Sequence, residues 1–473
     1  MSRINTNIPS LVAARILNTQ NRALNTSLER LSTGLRINTG KDDPAGLIAS
    51  ELLRTEKSAI GAAITNITRA NNVVATAESG LDEINKLITE LEDLVDRSAN
   101  EAGISEDERD ANQLQIDAIL ESINRIANST EFQGRKLLSG ELDYITSGVS
   151  SSNFADVRIN SARLSNDGYR SVVVEVAASA QLASLTYAAS ATGSGVTVLE
   201  IVGKNGTETL SFGSGTTIAD VAEAINQSKD LTGVSASVTS ATGLTFYSTA
   251  YGSEQFVTVR ALQGSFAVTG GDTGSDTDYG DDATVRINGV TASVDGLDAR
   301  VQTSTLSIEL TLDSDFGTSI GSDTFYVTGG GADFAIAPTV DLNGLASLGI
   351  GSVSTSRLGT SSLGFLSSLG SGQTNALSSG NFAVAQRILR ESGGRIAELR
   401  GRLGAFQKDT LQTTQNSLQI TLENTTAAES AIRDADFATE TSGLTRSQIL
   451  VQSATNVLRL ANAQPQQVLS LLG

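Results

Sequence analysis

Residues Ile60–Val95 read IGAAITNITRANNVVATAESGLDEINKLITELEDLV, and their apolar positions decide the fold. Ile60, Ala63, Ile67, Ala70, Val74, Ala77, Leu81, Ile84, Ile88, Leu91 and Val95 follow one another in unbroken steps of three and four. That alternation is a heptad seam, so the stretch reads as one amphipathic helix. At 1.5 Å per residue it is roughly 50 Å long. A helix of that length cannot bury its own stripe and needs partners elsewhere in the chain.

Candidates lie at both ends. Upstream, Leu24, Leu28, Leu31 and Leu35 keep helical spacing, with Ile4, Ile8 and Leu11 before them. Gly103 ends the long helix, and Ser105-Glu106-Asp107-Glu108 offers a capping box for another near Glu106–Ala127. Its apolar face is Ile116, Ile119, Ile123 and Ile126. Downstream of about residue 381, Ile396, Leu399, Leu403 and Phe406 resume the heptad, and Leu411, Leu418 and Leu422 extend it. After Gly443 a last stripe runs Leu450, Ala454, Val457, Ala461, Gln464, Val468 and Leu471. Pro465 is expected to interrupt and kink that helix.

Between these ends, from about 141 to 380, the sequence turns rich in Gly, Ser and Thr, with short β-branched runs such as Val172-Val173-Val174. Turn signals recur at Gly203-Lys204-Asn205-Gly206, Asn288-Gly289 and Asp295-Gly296. A β-β-α-β-β unit is predicted at about 193–262, its helix Ile218–Ser228 capped by Thr217 and Asp220. A second β unit is predicted at about 280–338, and 352–380 reads as a return linker. The fold class is therefore α+β: coiled-coil-like helical ends packed together, with β-rich domains inserted between them.

Composition narrows the chemistry. The 473 residues include no His, Cys or Trp. This excludes a Ser-His-Asp triad, a thiol nucleophile, a disulfide and the common zinc ligand sets. No cofactor is expected. Net charge is -19, which argues against nucleic acid as a partner. No apolar run is long enough to span a bilayer. The first residues show no secretory h-region, so the chain is expected to stay inside the cell or leave without a cleaved peptide.

At this point the residues resemble the flagellin family. Leu31-Ser32-Thr33-Gly34-Leu35-Arg36-Ile37-Asn38-Thr39-Gly40-Lys41-Asp42-Asp43-Pro44-Ala45-Gly46-Leu47 is similar to its L-S-[ST]-G-L-R-I-N-x-x-K-D-D-x-A-G signature. Gly34, Arg36, Asn38, Lys41, Asp42, Asp43, Ala45 and Gly46 are the positions that carry it. Ile4-Asn5-Thr6-Asn7, Phe132-Gln133-Gly134-Arg135-Lys136-Leu137-Leu138 and the closing Ala461-Asn462-Ala463-Gln464-Pro465-Gln466-Gln467-Val468-Leu469-Ser470-Leu471-Leu472 also fit. Phe212–Val259 resembles the flagellin hook IN motif.

The resemblance implies a structural subunit, exported unfolded, that polymerises with itself beneath a cap into the extracellular flagellar filament. Its implied partners are copies of itself, cap and hook-associated proteins, and an export chaperone. It implies an innermost domain of 1–44 with 433–473 and a next shell of 45–140 with 381–432. Ile4, Ile8, Leu11, Leu24, Leu28, Leu31, Leu35, Leu450, Ala454, Val457, Ala461, Val468 and Leu471 are then the expected self-assembly residues. Ile60, Ile67, Val74, Leu81, Ile84, Ile88, Leu91, Val95, Ile396, Leu399, Leu403 and Phe406 form the expected intra-subunit seam. A stretch by which some flagellins engage an animal innate immune receptor, Q-R-V-R-E-L-A-V-Q, aligns with Thr89–Arg97. Glu90 and Glu92 stand where it has arginines, so weak activation is expected.

Other readings compete. A hook–filament junction protein shares similar ends, though the Leu31–Leu47 signature and the full C-terminal motif favour the filament subunit. The β domains could add adhesion. An enzymatic insert of the metalloprotease kind needs His, which is absent; a carboxylate-only hydrolase stays open. Asp272, Asp276, Asp278, Asp281 and Asp282 lack EF-hand spacing and read as a solvated loop rather than a calcium site. Gly40-Lys41 lacks the spacing of a phosphate loop.

Overall fold

The computed structural model describes residues 6–100, 103–165, 168–270, 276–361 and 363–470. The helices among them are α1 (Ile8–Thr33), α2 (Pro44–Ser98), α3 (Glu106–Ser129), α4 (Ile218–Gln227), α5 (Lys229–Thr232), α6 (Ser314–Gly317), α7 (Phe382–Ala405), α8 (Thr413–Arg433) and α9 (Phe437–Ser470). Helices at both ends enclose a strand-rich middle, the α+β order expected. The chain forms two compact units: Met1–Arg69 with Ala335–Gly344 and Lys408–Gly473, and Ala70–Phe334 with Leu345–Gln407.

In the second unit the α2 seam is inaccessible: Val74, Ala77, Leu81, Ile84 and Leu91 are fully buried, and Ile88 and Val95 nearly so. α7 runs antiparallel to α2. Gln386 donates to Asp96 at 3.0 Å, Arg390 to Glu92 at 3.2 Å, and Arg400 to Glu78 at 2.7 Å. Ile388, Ile396, Leu399 and Leu403 of α7 are buried. α3 begins at the capping box: Ser105 Oγ accepts from the Glu108 N–H at 3.2 Å. Glu106, Asp107 and Glu108 then lie at the positive end of the helix dipole. After α3, Phe132 and Arg135 pair across a tight turn. Gln133 and Gly134 both take positive φ there, as a two-residue hairpin requires. Leu137 and Leu138 then bury themselves, and Leu138 Cδ1 would stand 2.8 Å from any Cβ added to Gly80 of α2.

The seam spacing changes once. Phe406 to Leu411 is a step of five rather than three or four. The backbone answers with a π-helical stretch, Phe406–Gln412, whose wider turn takes up the extra residue. Leu411 is fully buried.

The strands build two modules. In the first, 197–203 pairs with 206–212 and with 256–263, while 243–248 pairs with 234–240 and 184–187. α4 packs on strand 234–240, its Ile218, Val221 and Ile225 joining Leu199, Ile201, Phe246 and Val257 in one core. Thr217 caps it, accepting from Asp220 N–H at 3.3 Å. α4 ends at Gln227, and one more turn, α5, carries the chain to Gly233 at φ 75°.

The second module departs from the sequence reading. Its strands were expected within about 280–338. Its sheets also take in 144–147, 154–162 and 170–178. Strand 170–178 lies between 284–287 and 321–330. Val172, Val174 and Val176 are fully buried, so this strand needs a neighbour on each side and finds them beyond the first module. The first module is thus inserted into the second. Gln181 and Asp281 bond each other's backbones in both directions, at 2.9 and 3.1 Å. Asp282 beside them accepts from Ser253 N–H, Ser253 Oγ and Gly296 N–H.

Charged side chains tie this module to α7. Arg395 lies 3.6 Å from Asp156, and Arg300 3.5 Å from Glu398. Burial opposes ionisation of Glu309, yet hydrogen bonds from Glu398 and Asn160, with Arg300 and Arg158 nearby, hold its carboxyl below the usual range. Glu398, half-buried, is pushed up by that partial burial and by Glu309 beside it.

Residues 352–380 were expected to be a plain linker. Their described part is built onto α3 instead. Buried Gln113 donates to Leu369 O at 2.9 Å and accepts from Leu377 N–H at 2.8 Å. Asn124 accepts from Thr355 N–H at 3.0 Å.

Candidate self-assembly interface

The first unit has a different character. α1 and α9 pair antiparallel: Arg30 meets Glu440 at 3.0 Å, Ser10 Oγ meets Asn462 Oδ1 at 2.6 Å, and Asn7 Nδ2 donates to Ala461 O at 2.8 Å. Two further ion pairs hold α2 to α8, Lys57–Glu429 at 2.5 Å and Arg433–Glu51 at 2.8 Å.

The signature loop is organised by its own polar groups. Gly34 ends α1 in the left-handed region at φ 72°, its N–H returning to Arg30 O. Gly34 O then accepts from Ala435 N–H at 2.9 Å, and Arg36 N–H donates to Arg433 O at 2.7 Å. Arg36 Nη2 also reaches Ile432 O at 2.5 Å. Asp42 gathers the N–H groups of Asn38 and Thr39 and the Thr39 hydroxyl. The Thr39 N–H, with those other bonds, holds its carboxyl below the ordinary value. Asp43 caps α2, accepting from Gly46 N–H at 2.9 Å. A Cβ on Gly46 would stand 2.5 Å from Asp43 Oδ2 and 2.6 Å from Ile37 Cδ1. Ile37 is buried, a role the spacing alone did not single out. Lys41 and Ala45 are exposed.

The predicted assembly residues divide. Leu24, Leu31 and Leu35 are half-buried. Ala454 and Ala461 are buried. Ile8, Leu11, Leu28, Leu450 and Val457 are exposed. Ile4 and Leu471 lie outside the described residues, as does the side chain at 468. Among the described side chains of α9 the buried ones are Ser447, Ala454 and Ala461, all small. Of its larger apolar side chains, Leu444, Val451 and Leu458 are half-buried, and Ile449, Leu450, Val457 and Leu460 are exposed. Leu11 is 64% exposed, Leu460 66% and Ile449 62%, with Val12, Ile16 and Val457 beside them in sequence register. In the same unit Ile60 and Ile67 are fully buried; Phe406, in the other unit, is half-buried against Phe334 at 5.8 Å. Among the described residues no acidic cluster is placed to share a metal ion. Asp278 and Asp282 spend their carboxylates on backbone N–H groups.

A chain whose two ends pair as helices, with β modules carried between them and apolar side chains left on the paired ends, is a structural subunit. Comparison with known proteins makes this specific. Residues 4–143 match the bacterial flagellin N-terminal helical region, 387–472 the C-terminal helical region, and 198–250 the flagellin hook IN motif. The B-type flagellin of Pseudomonas aeruginosa is 30% identical over 99% of both chains. Flagellin B of Helicobacter pylori is 29% identical over 99% of both. Among solved structures, flagellar hook associated protein-3 from Legionella pneumophila aligns with 80% of this chain and 97% of its own at a TM-score of 0.31 and 12% identity. The chain belongs to the bacterial flagellin family. It is a structural subunit of the extracellular flagellar filament, the polymer that serves motility.

Proposed function

We propose that the chain polymerises by ordering its two terminal helices against copies of itself. The observation that carries this is the row of outward Ile8, Leu11, Val12 and Ile16 on α1 with Ile449, Val457 and Leu460 on α9. Ordering a helix costs about 1–2 kcal/mol per residue in backbone entropy. Burial returns roughly 25 cal/mol per Å² of apolar surface. With Ala13 the one fully buried apolar side chain that α1 contributes among its described residues, the isolated pair recovers little. Neighbouring copies supply the missing burial, so folding and assembly are coupled. The innermost layer is then 1–44 with 433–473, and the next 45–140 with 381–432.

The chain travels unfolded through a dedicated export channel, escorted by a chaperone, and adds beneath a cap. A net charge of -19 opposes nucleic acid. Among the described residues no helix is long and apolar enough to cross a membrane.

Deleting residues 450–473 is expected to leave a soluble, folded monomer that grows no filament on seeds. Leu11→Glu with Leu460→Glu is expected to raise the critical concentration at least ~10-fold, since each buried Leu contributes about 1.5–3 kcal/mol. Normal filament yield from either variant, by sedimentation and electron microscopy, overturns the reading.

A further inference from the structure

Pro465 was expected to interrupt α9, yet helical backbone continues past it to Ser470. Proline has no N–H, so the carbonyl four residues earlier loses its helical donor. That carbonyl belongs to Ala461, and Ala461 is buried. It accepts instead from the other end of the chain, where Asn7 Nδ2 donates at 2.8 Å. The second half of the same amide is also committed. Asn7 Oδ1 accepts from Ser10 N–H at 3.1 Å and caps α1. The Ser10 hydroxyl donates to Asn462 Oδ1, beside the orphaned carbonyl.

We infer that Asn7 and Pro465 form one device, a register latch. The proline opens a single acceptor on α9. The asparagine that begins α1 fills it, so the two ends pair in one register only. A helix slipped by one turn would leave the Ala461 carbonyl buried without a donor. Ordinary helical carbonyls along α9 are satisfied internally and cannot offer Asn7 an equivalent site. The residue type is demanding, because one side chain must accept at the α1 cap and donate across to α9. Aspartate can only accept, serine is too short to do both, and asparagine does both. The latch rests on the proposed role of the terminal helices in assembly, since it sets the geometry those helices present.

The test uses the full chain, whose lack of cysteine gives a clean background. Ser10→Cys with Asn462→Cys reports closeness at the latch by disulfide formation under mild oxidation. Into this pair are placed Asn7→Asp, Pro465→Ala, and both together. Asn7→Asp keeps the cap and removes the donor. It is expected to slow cross-linking ~5-fold, the population effect of one lost partly buried hydrogen bond. Adding Pro465→Ala restores an N–H to the Ala461 carbonyl. Asn7→Asp is then expected to change cross-linking less than twofold (about the noise of such rates). A residue acting only as a helix cap tolerates Asn7→Asp in both backgrounds. Equal cross-linking with Asn and Asp at position 7, or an equal loss with and without Pro465→Ala, overturns the latch. Filament growth of the same variants without the cysteine pair is read in parallel. Failure of the latch leaves the Leu11 and Leu460 result untouched, so the two ideas fall separately.

Discussion

Two glycines of α2, close in sequence, respond in opposite directions to the same added methyl group. Gly46 occupies the first turn, where a Cβ meets Asp43 Oδ2 at 2.5 Å and buried Ile37 Cδ1 at 2.6 Å. Asp43 must then leave the Gly46 N–H it caps, at a cost of about 1 kcal/mol. Ile37 must move within a packed site, adding about 1–3 kcal/mol. The helix-forming gain of alanine offsets at most about 1 kcal/mol of this, and less in a first turn. The net expectation for Gly46→Ala is a destabilisation of about 1–3 kcal/mol. Gly61 has nothing within 4 Å of its Cβ position and sits inside the helix. Gly61→Ala carries only the propensity gain, so it is expected to stabilise by about 0.5–1 kcal/mol. Urea unfolding followed by far-ultraviolet circular dichroism reads both, as the first transition midpoint. A Gly46→Ala midpoint at or above the parent refutes the steric argument, and opposite signs for the pair support it.

Gln113→Ala strips Leu369 O and Leu377 N–H of their partner; each orphaned group costs about 1–3 kcal/mol, and limited proteolysis is expected to cut first within 366–380. Asp42 and Asp436 are both held below 3.8, the first mainly by the Thr39 N–H and the second by the Thr439 N–H. A depressed carboxyl supports the fold fully above its unfolded value and loses that support as pH falls through the folded one. Asp42→Asn with Asp436→Asn should therefore flatten the decline of Tm below about pH 4, and an unchanged decline refutes it. Glu90 and Glu92 place negative charge where receptor-engaging flagellins carry arginines, and Glu92 is already engaged by Arg390 at 3.2 Å. A reporter-cell assay is expected to show weak activation, and a full response at low protein concentration contradicts it.

Much of the helical framework was legible because periodicity is a local property. Ile60 to Val95 announced a buried seam, and Ser105 and Thr217 announced their caps. The face of α9 was harder. The expected stripe Leu450, Ala454, Val457 and Ala461 divides: Ala454 and Ala461 are buried, with Ser447 beside them, while Leu450 and Val457 are exposed. Hydropathy ranks leucine above alanine for burial, whereas close helix approach selects the smaller side chain. The second β module escaped because strand partners far apart in sequence leave no periodic trace. Nothing in Arg170–Ala178 says that its neighbours are Thr284–Ile287 and Gly321–Val327. The loop after Ser352 looked like spacer because its anchor, Gln113, is a polar residue on a helix otherwise read by its isoleucines. In the signature, Asp42, Asp43 and Gly46 acquire physical roles, while Lys41 and Ala45 face outward.

The backbone bridge between Gln181 and Asp281 also bears on how such a chain can change over time. The first β module leaves and rejoins its host at adjacent points, so it behaves as a cassette. A replacement of any size whose own ends lie side by side can be spliced there while the host sheets keep their pairing. The inserted module can therefore drift, grow or be exchanged at a single paired junction.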